Sequence, residues 1–252
     1  MSSLLEGLLI VGGSTLLAVG GVLLARRRVE PEALRANHDV AGYILAVVGT
    51  LYAVLLGLVV INVQTKYDQA RSMAVQEANA CSNLYQLTKA IPASNRSALR
   101  AVLADYVKQA IDENWEAIAR GEQKEGTNDE YRKLWQAIAD YDPHGGREEG
   151  AYGAMLTTMQ QLSDARRFRK VTGRTGVSPV LWLILIAGEV VTIAFTYFFG
   201  VTSLRTHVAM IAFMAFFLSL NVFLIALYND PYRADLGVKA AGFNFDPSIF
   251  RE

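Results

Sequence analysis

The chain has 252 residues, 52% of them hydrophobic and 19% charged, and its 24 basic side chains balance 24 acidic ones. A neutral chain has no global field to draw it to nucleic acid or another polyanion, so nucleic acid is not expected as a partner. One cysteine, Cys81, excludes a disulfide or a thiolate metal cluster within one chain.

The averages conceal segregation: charge is nearly absent from four stretches and dense between them. The first stretch, 4–25, carries only Glu6 and stops at Arg26, Arg27 and Arg28. Its basic residues follow the apolar run and no A-x-A-like site comes after, so it reads as a retained span and not as a signal peptide. The second, 42–63, has no charge. The third, 180–201, is interrupted only by Glu189, and the fourth, 206–228, is uncharged apart from His207 at its edge. About 20 residues rising 1.5 Å each cross a hydrocarbon layer of about 30 Å, so each run has spanning length. The reading is an all-α integral membrane protein: a transmembrane hairpin over 1–63, a helical soluble domain over 64–175, a second hairpin over 176–229 and a tail over 230–252.

The soluble stretch holds 16 Lys/Arg and 15 Asp/Glu. It shows helical punctuation and no sustained two-residue alternation. No breaker follows Val63, and small or apolar positions recur three and four apart through Tyr67, Ala70, Ala74, Ala78, Cys81 and Leu84. One helix is therefore expected to leave the membrane and run on to Ile91, before Pro92. Ser94 or Asn95 is the expected N-cap of a helix carrying Leu99, Leu103, Tyr106, Ala110, Ile111 and Trp115, ended by Gly121 and Gly126. A short helix follows Thr127-Asn128-Asp129 and closes at Asp142-Pro143-His144-Gly145-Gly146. The last soluble helix spans about 147–171, with Tyr152, Met155, Leu156, Met159, Leu162 and Phe168 inward. Pro179, after Ser178, opens the third span.

Basic residues near span ends favour the cytoplasm. Arg26, Arg27, Arg28, Arg35 and Arg205 lie on the hairpin-loop side. Lys66, Arg71, Arg166, Arg167, Arg169, Lys170, Arg174, Arg233 and Lys239 lie on the other. Nine against five is read as placing the soluble domain and both termini on the cytoplasmic side of the bacterial inner membrane.

No catalytic constellation emerges. His38, His144 and His207 lack metal-binding spacing, and the pairs Gly12-Gly13 and Gly20-Gly21 sit within a span, where small residues permit close helix packing. An enzyme is not expected, and neither a cofactor nor a metal. Polar residues inside the spans are more informative. A carboxylate at mid-span costs a few kcal/mol in lipid, so Glu189 serves either ion or proton passage or interhelical hydrogen bonding. Asn62 and Asn221 read as polar ties between helices. In the second span Thr50, Val54, Gly57, Ile61, Gln64 and Asp68 fall alternately four and three apart. Such a seam suits either packing against a neighbouring helix or the lining of a pore in a symmetric oligomer.

Several segments resemble one family. They are Ala36-Asn37-His38-Asp39-Val40-Ala41-Gly42-Tyr43, Val48-Gly49-Thr50-Leu51-Tyr52-Ala53-Val54-Leu55-Leu56-Gly57, Tyr67-Asp68, Gln76-Glu77-Ala78, Leu84-Tyr85, Tyr106, Glu113-Asn114-Trp115, and the turn Asn229-Asp230-Pro231-Tyr232-Arg233-Ala234-Asp235-Leu236. Together they resemble the bacterial bestrophin-like membrane family. The resemblance implies two hairpins around a helical insert and, by analogy with bestrophins, a pentameric anion channel lined by the second helix. The phenylalanine-rich bestrophin neck has no counterpart here, where Val54, Leu58 and Ile61 stand instead. The reading is an oligomeric channel-like protein. The alternatives are a non-conducting adaptor whose helical domain binds a soluble partner of unknown identity, and a proton-coupled carrier using Glu189.

Overall fold

The computed structural model describes residues 3–28, 38–111, 129–172, 176–199, 201–232 and 237–238. Among these residues the only regular structure is helical: α1 Ser3–Arg28, α2 His38–Leu87, a 3-10 turn Thr88–Ala90, α3 Ala93–Gln109, α4 Asp129–Ala139, α5 Gly146–Thr172, α6 Pro179–Thr196 and α7 Leu204–Asn229. They form two units, Met1–Thr65 with Val177–Asn229 and Lys66–Gly176 with Asp230–Glu252. Arg35, Trp115, Gly121, Gly126, Thr127, Asn128, Arg174, Arg233 and Lys239 lie outside the described residues, as does most of the 230–252 tail.

The first unit holds four helical segments long and apolar enough to cross a membrane: Leu5–Arg28, the apolar part of Asp39–Ala90, Pro179–Thr196 and Leu204–Asn229. α1 runs along α7. Ala18 and Val22 pack with Ile193, Ile211 and Ala215, while Tyr52, Leu56, Val59 and Val63 pack with Leu185 and Ile225. The outward faces are as apolar as the inward ones, with Leu17 79% and Phe213 81% exposed. Apolar surface on that scale requires lipid around it.

Close packing rests on a few glycines. A Cβ on Gly188 of α6 would lie 2.4 Å from the Tyr52 ring of α2, and one on Gly21 of α1 would lie 2.4 Å from the Tyr197 hydroxyl. Each aromatic ring fills the space its glycine leaves, and the Tyr52 hydroxyl donates to the Leu185 carbonyl at 2.8 Å. Gly12, Gly13 and Gly20, expected in close contacts, face open space.

The helix ends differ from expectation in two places. The third span was expected to reach 201, yet α6 ends at Thr196. Tyr197, Phe198 and Phe199 tighten into bonds from their N–H groups to the carbonyls three residues back, a common way for a helix end to satisfy its last carbonyls. At the start of α6, Ser178 caps the helix by accepting from the Leu181 N–H at 3.3 Å, with Pro179 at its first position. The Asn229 side chain, at the end of α7, accepts from the Val177 N–H at 2.5 Å. The second difference lies in the soluble unit.

There α2 stops at Leu87 and passes through the 3-10 turn, and Ile91 is extended (φ −106°, ψ 159°), as the residue before a proline prefers. Neither Ser94 nor Asn95 caps α3: Pro92 holds the N-cap position, and its carbonyl accepts the first helical bond, from the Arg96 N–H at 2.9 Å. Arg96 then reaches back to the carbonyls of Thr88 and Ile91 at 3.2 and 3.1 Å. One cation thus adds a donor to the Thr88 carbonyl, which also accepts from the Ile91 N–H, and supplies one to the carbonyl of Ile91. Gly145 turns the chain into α5 at φ +115°, a conformation that glycine adopts without strain. Glu148 accepts from the His144 N–H at 3.0 Å and the Tyr141 hydroxyl at 2.5 Å, and both hold its carboxyl below the usual range. The unit's core joins Ala70, Ala74, Ala78, Cys81 and Leu84 of α2 to Leu103, Tyr106, Leu134, Ile138, Met155, Met159 and Leu162, with Tyr232 and Val238 added from beyond α7.

Candidate functional site

An α-helix turns 100° per residue, so Thr50, Val54, Gly57, Ile61, Gln64 and Asp68 project within an arc of about 80° on α2. All six are exposed, Val54 at 58% and Ile61 at 63%. Tyr52, Leu56, Val59 and Val63, which face the rest of the first unit, lie on the opposite side of the helix. The Thr50 hydroxyl is turned onto its own helix, donating to the Ala46 carbonyl at 2.6 Å. A Cβ added at Gly57 would meet nothing within 4 Å. The face is therefore small, aliphatic and free of aromatic side chains, with polar groups at Gln64 and Asp68.

Glu189 is not on an outer face. It is buried on α6 beside Leu185, Thr192 and Ile193, and its Oε1 accepts from the Ser219 hydroxyl of α7 at 2.5 Å. Ser219 is fully buried. A carboxyl so placed ties α6 to α7 and escapes the cost of facing lipid. The two asparagines do not make the expected ties. Asn221 donates to the Phe217 carbonyl of its own helix at 2.8 Å, and Asn62 is exposed.

The soluble unit contains a charged cluster that sequence reasoning missed. Glu77 and Arg169 are both completely buried, and the carboxylate accepts from Arg169 Nε and Nη2, each at 2.8 Å. The Tyr106 hydroxyl donates to the same carboxylate at 2.7 Å. Arg166 lies over the rings of Tyr106 and Tyr131, at 5.6 and 4.7 Å from their centroids. Burial pushes the Glu77 carboxyl up. The Arg169 charge and hydrogen bonds, the Tyr106 hydroxyl and the Arg166 charge outweigh burial, and the net shift is downward. Burial and the neighbouring carboxylate raise Tyr106 well above its ordinary value. The available signal was phase: Glu77 falls on the same small-residue face of α2 as Ala70, Ala74, Cys81 and Leu84. Cys81 is buried in that core, its thiol pushed up by desolvation and by Glu77. Among the described residues no three His, Cys, Asp or Glu side chains are grouped to hold a metal ion.

Comparison with known proteins bears on this arrangement. The Bestrophin-like domain matches residues 12–243. Solved structures of similar fold include bacterial bestrophin homologs from Klebsiella pneumoniae. One, carrying a single mutation, has a TM-score of 0.68 at 14% identity and covers 96% of this chain and 97% of its own. A second has a TM-score of 0.65 at 15% identity over 94% of each chain. A third, with another mutation, has a TM-score of 0.67 at 16% identity over 96% of each. A search of the curated proteins finds no match. At these identities the structures establish a shared fold, and the domain match extends over nearly the whole chain. This membrane protein, two apolar hairpins around a helical insert, belongs to the bestrophin-like family.

Proposed function

We propose that the protein is a homo-oligomeric ion channel of the bacterial inner membrane, with α2 of each subunit facing the symmetry axis and residues 64–175 in the cytoplasm. The observation that carries this reading is the exposed face of α2 from Thr50 to Asp68, opposite the face that packs within its own unit. In a ring of subunits Val54 and Ile61 would form aliphatic constrictions that gate by dewetting, and Gln64 and Asp68 would form polar rings beyond them. The bestrophin resemblance supports a pentamer and anion permeation, whereas a ring of Asp68 carboxylates would favour cations. The sign of the reversal potential under a salt gradient distinguishes the two. Glu189, held by Ser219, is read as a tie between α6 and α7 and lies outside the conducting path.

Native mass spectrometry in detergent, followed by flux from liposomes, tests the proposal. Gly57→Leu adds a side chain where the subunit itself has open space, so the fold should persist and flux should fall by at least about tenfold, the effect of narrowing a dewetting constriction. A monomer in native mass spectrometry, or an intact oligomer whose flux ignores Gly57→Leu, rejects α2 as the pore helix. An intact oligomer with no flux in any salt leaves the adaptor reading in its place.

A further inference from the structure

Where α2 gives way to α3, the chain lies against the turn that leads from α4 into α5, and the two enclose a groove of about 400 Å³. Residues 89–92 and Arg96 form one wall, and residues 144–148 form the other. Three lining side chains, Lys89, Arg96 and Arg147, are permanent cations, against one carboxylate, Glu148. The groove lies wholly within the soluble unit.

The cations differ in what holds them. Arg96 Nε donates to the Thr88 carbonyl at 3.2 Å, and its Nη2 to the carbonyls of Ile91 and Lys89 at 3.1 and 3.4 Å. Backbone thus fixes the guanidinium in one orientation, while its Nη1 has no acceptor among the described residues. A donor already immobilised loses little freedom when it engages a ligand. Lys89 and Arg147 are exposed, and neither side chain makes a hydrogen bond or ion pair among the described residues. Glu148 is turned to other partners, its Oε2 accepting from the Tyr141 hydroxyl and the His144 N–H, and it makes no ion pair with Lys89, Arg96 or Arg147. His144 is exposed, with Nδ1 4.0 Å from the Asp142 carboxylate. A cleft so dominated by one sign of charge concentrates ions of the other. Its remaining surface is apolar and open: Ala90 and Pro92 supply a wall, and a Cβ on Gly145 or Gly146 would meet nothing within 4 Å.

We propose that this groove binds a small phosphate ester, its phosphate held by Arg96, Lys89 and Arg147 and its organic part lying against Ala90 and Pro92. A phosphate monoester presents three terminal oxygens, one for each cation, whereas a carboxylate presents two and a halide a single point. The volume favours an ester over the bare ion, because grooves of about 300–1,000 Å³ are the size that holds small organic molecules. Once bound, the ligand bridges the end of α2 and the start of α5. The site requires only the fold of the soluble unit and stands whether or not α2 lines a pore.

Equilibrium dialysis of the full chain in detergent tests the site, at a fixed ionic strength of about 0.15 M so that loose attraction between distant charges is screened. The probes are inorganic phosphate, glycerol 3-phosphate and glucose 6-phosphate, with glucose as the uncharged control. Phosphate and both esters should bind saturably at one site per chain, at least one ester more tightly than inorganic phosphate, and glucose should not bind. K89Q/R147Q removes two cations whose side chains bond to nothing among the described residues, so the chain should stay folded while affinity for the anions falls by at least about tenfold, about fivefold for each exposed charge. R132Q/K133Q removes the same charge from α4, where Arg132 and Lys133 pair with Asp129 and Glu130, and should leave affinity within about twofold of wild type. Binding that does not saturate, or an equal loss in the two double variants, overturns the proposal, because general charge attraction would then account for it. Esters that bind no more tightly than inorganic phosphate overturn the assignment of an ester.

Discussion

Replacing Glu77 by glutamine should be among the most damaging single changes in the soluble unit, and the structure says why. The substitution leaves the Arg169 guanidinium completely buried with its anion gone, and arginine cannot discharge itself inside a protein. Breaking a buried ion pair from one side costs about 3–5 kcal/mol. For a unit of roughly 130 residues that corresponds to a fall of about 10–20 °C in melting temperature. Arg169→Met is a different perturbation, because Glu77 can take up a proton. In the wild type the carboxyl is held low, so its contribution is present above the unfolded value of about 4.5 and lost as pH falls through the lower folded value. Without Arg169, burial dominates and the folded carboxyl moves above its unfolded value. The folded state then binds the extra proton, and the variant gains stability as pH falls from neutrality toward 4.5. The deficit of Arg169→Met against wild type should therefore shrink between about pH 8 and pH 5, while that of Glu77→Gln stays constant. A triple variant, Glu77→Leu with Arg169→Met and Tyr106→Phe, removes both charges and the hydroxyl that would lose its acceptor, and should recover most of the loss. Thermal unfolding of the full chain in detergent, followed by fluorescence and by proteolysis of the soluble unit, reads all four proteins. A Glu77→Gln loss below about 1 kcal/mol, or a triple variant no better than the singles, would refute the assignment of a desolvated, mutually dependent pair.

Gly188→Val would drive a side chain into the Tyr52 ring, and overpacking of this kind costs about 1–3 kcal/mol, measurable as a lower melting temperature in detergent and relieved by Tyr52→Ala. Glu189→Gln keeps a partner for the Ser219 hydroxyl and should leave stability and any flux near wild type, whereas Glu189→Leu orphans that hydroxyl and should cost about 1–3 kcal/mol; altered flux in the glutamine variant would return Glu189 to the conducting path. Cys81 should resist alkylation at neutral pH in the folded protein and react once it unfolds, and labelling of the folded form would contradict its burial. Reporter fusions after Gly126 and after Arg28 should give opposite signals, with the Gly126 fusion cytoplasmic; the reverse result would overturn the orientation drawn from the arginines and lysines.

The spans were legible because a bilayer imposes a length and forbids charge, two demands that composition alone displays. Helix punctuation was legible for a similar reason: Pro92 and Gly145-Gly146 in the soluble unit, and Pro179 at the start of α6, act on the backbone wherever they occur. Partnerships were not legible. Glu77 could be seen to lie in phase with the alanines of α2, but only folding brings Arg169 to it from 92 positions away. Ser219 looked like any small residue in an apolar run until Glu189 was found against it.

The end of α6 shows the same division within a single helix. Nothing in Tyr197, Phe198 and Phe199 distinguishes them by hydropathy from the residues before them, so a reading by composition carries the span on to 201. The helix ends at Thr196, whose carbonyl accepts from the Phe199 N–H and lies 3.1 Å from His207 Nε2. The other ring nitrogen, Nδ1, lies 3.2 Å from Nε of Arg26, at the far end of α1. The turn after one hairpin's first helix thus meets side chains from both hairpins, and a reading of local composition does not reach that far. Periodicity recovers the elements of this chain, whereas the contacts of Glu77 with Arg169 and of Glu189 with Ser219 are long-range, and the stability of the soluble core depends on the first of them.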